Sequence, residues 1–307
     1  MKIKNVTSSA CIKCLQLSLP VDMMICFARL VNPRYDIFKR TGLKEGMPIS
    51  NQNAAQRIVA DMIYDGFFVD FVETLIRIEA KGYMGRQYAL RGLNNVVAGL
   101  INKEGYSFDK VSGSFFENQR ERISPNWGRL QEGDEREMAV LRLDIVGNSA
   151  LVKSNPRSKI EKAYDDVRCI VNKVVVSRLG RSWSWEGDSV LAVFLFGSIE
   201  KMAIYAGMEI IHELFFYNRL RNTLDSPINV RLGAHIGQVR YSESELERLK
   251  NETVKNAAAL EAMAESNTVC VSYNIYITMD TNTLNLFSAE KTGRGGKYRF
   301  YTVGLEK

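Results

Sequence analysis

The sequence predicts an α+β protein, in which an N-terminal α-helical domain precedes a ferredoxin-like βαββαβ domain with a mixed sheet and helices packed on one face. In the first part, apolar side chains return at three- and four-residue spacing, which is typical of helices with one buried face. Later, short apolar runs alternate with amphipathic stretches, which indicates strands and helices in turn. The polar segment 118–136 contains one proline and two glycines, and it separates the predicted domains 1–130 and 136–307.

The composition excludes several classes of protein. With 307 residues, 46% hydrophobic and 25% charged, the chain has neither a disordered nor a collagen-like composition. It has no run of about 18 apolar residues, so no membrane span is expected. Its start lacks a secretory signal, so a cytoplasmic protein is expected. The net charge of +6 is spread over both domains without a basic block, so no nucleic-acid partner is expected.

The five cysteines do not predict a metal centre. Cys11 and Cys14 form a lone C-x-x-C motif, but the only two histidines, His212 and His235, are far away in the sequence, and no second cysteine pair completes a zinc site. We expect reduced, mainly packing cysteines, with a redox role for Cys11 and Cys14 as the alternative.

Two amphipathic stretches define the N-terminal domain. Apolar spacing predicts a helix over 53–78, capped by Ser50 or Asn51, although Gly66 makes two shorter helices equally consistent with the pattern. A second stretch covers 88–101 and ends at Lys103-Glu104-Gly105 in the manner of a helix stop.

The second domain has the pattern of strand, helix, hairpin, helix and strand. The predicted strands cover 139–147, the two arms of a hairpin over 183–196 with its turn at Gly187-Asp188, then 228–239, 268–271 and 300–303. The predicted helices cover 159–178, 199–222 and 252–264.

Two carboxylates stand where these strands end. Asp144 closes the first strand and Asp188 lies in the hairpin turn, so they would be neighbours if the strands pair. Carboxylates that converge at strand ends can hold divalent cations about 4 Å apart and so bind a triphosphate. Gly147 would let the following loop turn sharply and present backbone N–H groups to phosphate oxygens. The alternative is that Asp144 caps a helix and Asp188 is an ordinary turn residue.

Five collinear segments resemble the class III nucleotide cyclases, the adenylate and guanylate cyclase family. Segments 141–149 and 187–194 are similar to the two metal-binding motifs of that family. Segment 230–239 resembles its Val-Arg-Ile-Gly-Ile-His-x-Gly strand, 254–265 resembles its following helix, and 269–272 resembles the next strand. The resemblance covers about residues 136–307 and implies a class III cyclase domain there.

The resemblance implies specific roles for these residues. Asp144 and Asp188, with the Ile145 backbone, would hold two Mg²⁺ or Mn²⁺ ions, so that the ribose 3′-hydroxyl of a nucleoside triphosphate attacks its α-phosphorus. Backbone groups of Ile145, Val146, Gly147 and Asn148 would cradle phosphates, and Arg231 matches a β/γ-phosphate contact. His235 is expected to be structural. Family members work as dimers with sites across the interface, so a homodimer is implied.

The family pattern is broken on the helix at 254–265. Lys255 stands where the family has a ribose-orienting Asn, and Ala259 where it has a transition-state Arg. Alanine supplies none of the charge stabilisation that a guanidinium gives a transferring phosphoryl group. Lys255 could supply a point charge. Asn256 lies one residue along, or about 100° around the helix, so it could orient the ribose only after a shift.

Other basic and base-reading positions leave alternatives open. Arg294 and Lys297 could compensate in part for Ala259 by reaching the phosphates, or could form a solvated basic turn. The positions that read adenine in relatives are Ser184 and Arg248, so the base is open between adenine, giving cAMP, and a pyrimidine, as in cyclases of antiphage signalling.

The sequence therefore predicts a metal-dependent nucleotide cyclase, converting an NTP to a 3′,5′-cyclic nucleotide and pyrophosphate. Its N-terminal domain would serve as a sensor, a dimerisation module or a docking site for a partner protein. The alternative is a catalytically silent cyclase-homology domain that binds nucleotide or acts as a regulatory dimerisation module.

Overall fold

The computed structural model describes residues 3–44, 46–293 and 296–303. By its internal packing the chain divides into two compact units, Met1–Ile123 and Ser124–Lys307. Each has its own hydrophobic core. In the part of the chain described, no helix combines the length and the apolar character needed to cross a membrane.

In its described residues the first unit contains six helices and a short hairpin. Its elements are α1 Asn5–Ser18, α2 Val21–Val31, α3 Ile37–Thr41, α4 Asn51–Tyr64, α5 Phe68–Lys81, α6 Leu93–Lys103, β1 Tyr106–Asp109 and β2 Ser114–Glu117.

The long stretch predicted over 53–78 is two helices, α4 and α5. The Ser50 hydroxyl accepts a hydrogen bond from the Asn53 N–H at 3.2 Å and so caps α4, as predicted. Gly66 adopts a φ of +83°, which is not a helical conformation, so the first helix ends before it. Residues other than glycine rarely adopt this φ. The predicted stop after α6 is also confirmed, since Gly105 has a φ of +73°.

The hairpin β1–β2 was not predicted in this helical region. Phe115 of β2 is fully buried, and its N–H donates to the buried carboxylate of Glu73 in α5 at 2.7 Å. The first unit is therefore not purely helical, because a two-stranded element completes its core.

Cys11 and Cys14 are packing residues of α1. Both are buried free thiols. Burial, assisted by the charge of Glu79, raises the pKa of Cys14 to about 12, and burial also raises that of Cys11. A thiol with so high a pKa is a poor nucleophile at neutral pH, so the redox alternative is not supported.

The second unit contains the mixed sheet. Its strands are β3 Glu135–Ile145, β4 Gly180–Glu186, β5 Ser189–Phe194, β6 Val230–Arg240, β7 Thr268–Ser272, β8 Lys291–Gly293 and β9 Gly296–Thr302. Its helices are α7 Asn148–Ser154, α8 Arg157–Ser177, α9 Ile199–Leu220, α10 Glu245–Leu249, α11 Glu252–Met263, α12 Tyr273–Tyr276 and α13 Thr281–Leu284.

The strand order confirms the predicted βαββαβ topology. The sheet runs β4-β5-β3-β6-β7-β9-β8. The strands β4, β5, β3 and β6 pair antiparallel, and they are connected through α8 and α9 as in a ferredoxin-like fold. Strand β7 adds to β6 in parallel, which makes the sheet mixed.

Helices pack on both faces of the sheet, which corrects the expectation that they cover one face. On β3, Leu141, Leu143 and Ile145 join the core beneath α8 and α9. On β6, Leu232 and Ala234 do the same, but Gly233 between them points to α11. The alternation of side chains along a strand therefore places α11 on the opposite face.

Gly233 allows this second contact. A Cβ there would lie 2.2 Å from the Glu261 nitrogen and 2.3 Å from the Ala257 carbonyl oxygen. Only a glycine lets the backbone of α11 approach β6 so closely.

Candidate active site

Asp144 lies near the end of β3 on the face that carries α11. Its neighbours Leu143 and Ile145 point into the opposite core, so alternation directs Asp144 away from it. Its Oδ1 accepts a hydrogen bond from the Ser189 hydroxyl at 2.7 Å, and its Oδ2 accepts from Arg231 Nη2 at 2.8 Å. The carboxylate is thus fixed from two sides.

Asp188 lies in the turn between β4 and β5, next to Asp144. Strand β5 pairs directly with β3, which brings the turn to the end of β3. Burial raises the pKa of the Asp188 carboxyl, and the negative charge of Asp144 raises it further. The Asn148 side chain hydrogen-bonds to Asp188 and opposes this rise. The structure therefore brings together the two carboxylates that were predicted to meet.

Arg231 and Glu261 extend the cluster. Arg231 on β6 stands directly opposite Asp144 on β3 in the sheet register. Its guanidinium also contacts Glu261 of α11, with 2.5 Å between Nε and Oε1. Burial raises the pKa of the Glu261 carboxyl, while the Arg231 charge lowers it. One guanidinium is thus shared by two carboxylates.

The donor set fits a hard divalent cation. Asp144 and Asp188 supply carboxylate oxygens, which Mg²⁺ and Mn²⁺ prefer, and the repulsion that raises the Asp188 pKa is the kind that a cation relieves. Among the described residues no group of three His, Cys, Asp or Glu side chains is arranged as a complete metal site. Any cation held here would therefore need other ligands, such as backbone, water or phosphate oxygens.

The loop after β3 is shaped by Gly147, whose φ is +71°. This residue precedes the short helix α7, and its carbonyl accepts from the Ala150 N–H at 2.9 Å. The Val146 N–H donates to the Asn229 carbonyl at 2.8 Å, so that amide serves the fold and is not free for a phosphate. The expectation that the Val146 N–H binds a phosphate is therefore wrong. This bond does not bear on the same expectation for Ile145, Gly147 and Asn148.

The Asn148 side chain reaches both sides of the loop. Besides its bond to Asp188, its Oδ1 accepts a short hydrogen bond from the Tyr164 hydroxyl of α8. The side chain therefore links the loop, the hairpin turn and α8.

The positions on α11 that depart from the family pattern lie on its exposed surface. Lys255, Asn256 and Ala259 are all exposed. The Lys255 ammonium forms an ion pair with Glu252 on its own helix at 2.9 Å. Asn256 approaches His235, whose Nδ1 lies 2.9 Å from the Ser272 hydroxyl. His235 thus has a structural partner.

Of the two basic residues predicted to reach the phosphates, Lys297 lies among the described residues. Lys297 on β9 forms an ion pair with Glu290 at 2.9 Å. Arg294 lies outside the described residues.

Ser184 and Arg248 are both buried. Arg248 donates to the backbone carbonyls of Ser242 and Trp183, and its guanidinium stacks 5.5 Å from the Trp183 ring centre. Within the described residues, Ser184 Oγ and Arg248 Nε are buried without hydrogen-bond partners. These unpaired atoms are the kind that a polar ligand would satisfy.

Sequence reasoning missed three contributors, Ser189, Tyr164 and Glu261. Ser189 follows Asp188 directly, and the pairing of β5 with β3 could have pointed to it. Glu261 and Tyr164 depend on how helices pack on the sheet, for which the sequence carried no signal.

Known proteins resemble this chain over part of its length. No protein-family model matches the chain. The uncharacterized protein Rv1318c of Mycobacterium tuberculosis is 31% identical over 110 residues, which cover 34% of this chain and 19% of that protein. Rv1320c of the same organism is 32% identical over 106 residues, with 34% and 18% covered. This chain thus matches about a fifth of the length of these curated relatives.

Solved structures with similar folds include cyclase domains. The guanylyl cyclase domain of the RhoGC fusion protein from the aquatic fungus Blastocladiella emersonii is 14% identical, covering 55% of this chain and 97% of that one, with a TM-score of 0.48. An adenylate/guanylate cyclase/hydrolase from Silicibacter pomeroyi is 20% identical, covering 56% and 99%, with a TM-score of 0.47. Identities and TM-scores this low do not establish an activity for this chain.

Proposed function

We propose that this chain is a metal-dependent nucleotide cyclase, which converts a nucleoside triphosphate to a 3′,5′-cyclic nucleotide and pyrophosphate. The observation that carries the proposal is the convergence of Asp144 and Asp188 at neighbouring strand ends of a βαββαβ sheet. Burial and the charge of Asp144 disfavour ionised Asp188, and a metal-bound triphosphate is a ligand that would use the pair.

The reaction needs the ribose 3′-oxygen to lose its proton and attack the α-phosphorus, with pyrophosphate leaving. Two bound Mg²⁺ or Mn²⁺ ions would make the 3′-hydroxyl more acidic and neutralise the triphosphate. Asp144 and Asp188, with the Ile145 carbonyl, would hold them. In the metal-free structure Ser189 and Arg231 orient Asp144, and Asn148 orients Asp188.

The remaining chain would orient the substrate. Gly147 and Asn148 can offer backbone groups to the phosphates. Lys297 and Arg294 would add positive charge, and Arg231 could contact the β- or γ-phosphate. Positioning of this kind supplies a large share of the rate in phosphoryl chemistry.

The exposed face of α11 suggests a second subunit. Lys255 and Ala259 are four residues apart and both exposed, so they share one face of the helix. Because this face is exposed, we propose a homodimer in which it faces the partner's site. Lys255 would then act there as a point charge.

A catalytically silent regulatory module is the second candidate. Ala259 stands in the place of the family's transition-state arginine, and Lys255 is held in an ion pair with Glu252. Both features would lower turnover without removing nucleotide binding.

The base and the setting of the enzyme are further proposals. Ser184 and Arg248 would line the base site, and the candidates are adenine, giving cAMP, and a pyrimidine. We propose a cytoplasmic enzyme without a nucleic-acid partner, whose N-terminal unit senses a signal, dimerises or docks a partner protein.

Incubation with each of the four NTPs and Mn²⁺, followed by mass spectrometry of the products, tests this function. We expect one or more cyclic nucleotides from the unaltered protein. Asp144→Asn and Asp188→Asn should each lower product formation by about 100-fold or more. Asp165→Asn, which changes an exposed carboxylate of α8, is the control and should keep activity. Nucleotide binding without product from any NTP would favour the silent module.

A further inference from the structure

Arg231 is held between two carboxylates of unequal exposure. Its Nη2 and Nε donate to Asp144 Oδ2 at 2.8 and 3.2 Å, and its Nε lies 2.5 Å from Glu261 Oε1. The Asp144 side chain is 17% exposed and that of Glu261 only 10%. The Nε–H group thus donates to the proposed metal ligand, while Glu261 Oε1, close to the same nitrogen, accepts no hydrogen bond within the described residues.

Glu261 is fixed in this position by the backbone. It lies on α11 where that helix packs against β6 at Gly233. Arg142, whose charge also acts on Glu261, forms an ion pair with Glu186 at 3.2 Å. Arg231 is thus the cation in direct contact with Glu261.

A divalent cation and Arg231 compete for the Asp144 carboxylate. The guanidinium donates twice to Oδ2, the Ser189 hydroxyl donates to Oδ1, and the two positive charges would repel each other. Removal of Arg231 from Asp144 would be costly if it left the guanidinium without a partner. Glu261 provides that partner at a contact already made.

We propose that Glu261 is a positioning residue for metal loading, which retains Arg231 when a divalent cation takes Asp144. This assignment rests on the proposed metal site at Asp144 and Asp188. Arg231 is then the counter-ion of Asp144 in the metal-free protein and of Glu261 in the loaded one. The exchange needs only a small shift of one side chain, because both pairs share Nε.

Mn²⁺ binding without nucleotide, measured by titration calorimetry or electron paramagnetic resonance, tests the assignment separately from turnover. Glu261→Gln should weaken Mn²⁺ binding by about 10- to 100-fold, since Arg231 then bonds to Asp144 alone. Arg231→Met should strengthen it. In the Arg231→Met background, Glu261→Gln should have a much smaller effect than in the unaltered protein.

Glu209→Gln is the matched control, because Glu209 also pairs with an arginine, Arg178, but on α9 across the sheet from Asp144. It should leave the Mn²⁺ dissociation constant unchanged. Thermal unfolding followed by circular dichroism checks that each variant is folded.

Two results would overturn the assignment. One is an unchanged dissociation constant in folded Glu261→Gln. The other is that Glu261→Gln weakens Mn²⁺ binding equally in the unaltered protein and in the Arg231→Met background, because the effect would then not act through the guanidinium. Failure of the unaltered protein to bind Mn²⁺ would reject both this assignment and the proposed cyclase, whereas Mn²⁺ binding without cyclic product would reject only the cyclase.

Discussion

The Asp188 carboxyl is held in a place that disfavours its own charge. Its pKa is raised by burial and by Asp144. A carboxyl whose pKa is higher in the folded than in the unfolded protein binds more protons when folded, so stability falls as pH rises through that range. At neutral pH the ionised group therefore destabilises the metal-free protein.

We accordingly expect Asp188→Asn to raise the melting temperature of the metal-free protein at pH 7 and to abolish the further rise that Mn²⁺ gives the unaltered protein. The gain should vanish toward pH 3, where the carboxyl is protonated in both states. Thermal unfolding with EDTA or Mn²⁺ measures both effects. If Asp188→Asn melted at a lower temperature than the unaltered protein in EDTA, the charge of Asp188 would not be destabilising.

The cysteines give a second residue-level prediction. Cys169 is exposed, whereas Cys11 and Cys14 are buried and their pKa values are raised. Because thiolates react with alkylating agents, iodoacetamide should modify Cys169 rapidly and leave Cys11 and Cys14 unmodified until the protein unfolds. Peptide mass spectrometry reads the sites. Rapid modification of Cys14 in the folded protein would restore the redox alternative.

Among the elements, the contact of α11 with β6 depends on one glycine. Gly233→Ala would place a methyl group against backbone atoms of Glu261 and Ala257, which cannot move aside as side chains do. We expect a loss of about 1–3 kcal/mol of stability, seen as a lower melting temperature.

Gly207→Ala on α9 is the comparison for this prediction. Its added methyl would meet the Val269 side chain at 3.1 Å, and a side chain can adjust. A loss for Gly233→Ala no larger than that for Gly207→Ala would show that α11 is not seated as described.

Elements with strong periodicity were predictable, and the weakly patterned ones were not. The hairpin β4–β5 and the helices α8 and α9 follow the apolar spacing closely. Strand β8 has only three residues, all exposed, so no apolar pattern marks it. The four-residue strands β1 and β2 are similarly short.

The face on which a helix packs could not be read from its spacing. The apolar residues Val254, Ala257 and Leu260 show that α11 buries one side, but not against which face of the sheet. The partners of Asp144 were hidden for the same reason, since the pairing with Arg231 depends on the register between β3 and β6. The carboxylates themselves were predictable because a motif marks each of them.

For the whole molecule, the proposed dimer can be tested by mixing two inactive chains. Asp188→Asn would remove a proposed metal ligand from a site. Lys255→Ala would remove the residue that the partner subunit is proposed to contribute to that site. In a mixed dimer, one of the two sites contains neither substitution. We therefore expect mixtures to recover activity that neither variant has alone.

Co-purification of the two variants, with an affinity tag on one of them, should show that mixed dimers form under the assay conditions. Mixed dimers without recovered activity would indicate that Lys255 serves the site of its own chain or none.

The proposed metal site at the adjoining ends of β3 and β5 is tested most directly by diffraction from crystals containing Mn²⁺ and a non-cyclisable NTP analogue. Data collected at the manganese absorption edge would locate the ions. The account predicts anomalous density about 2.1–2.3 Å from carboxylate oxygens of both Asp144 and Asp188, beside the triphosphate. Manganese bound elsewhere, or carboxylates turned away from a bound nucleotide, would contradict it.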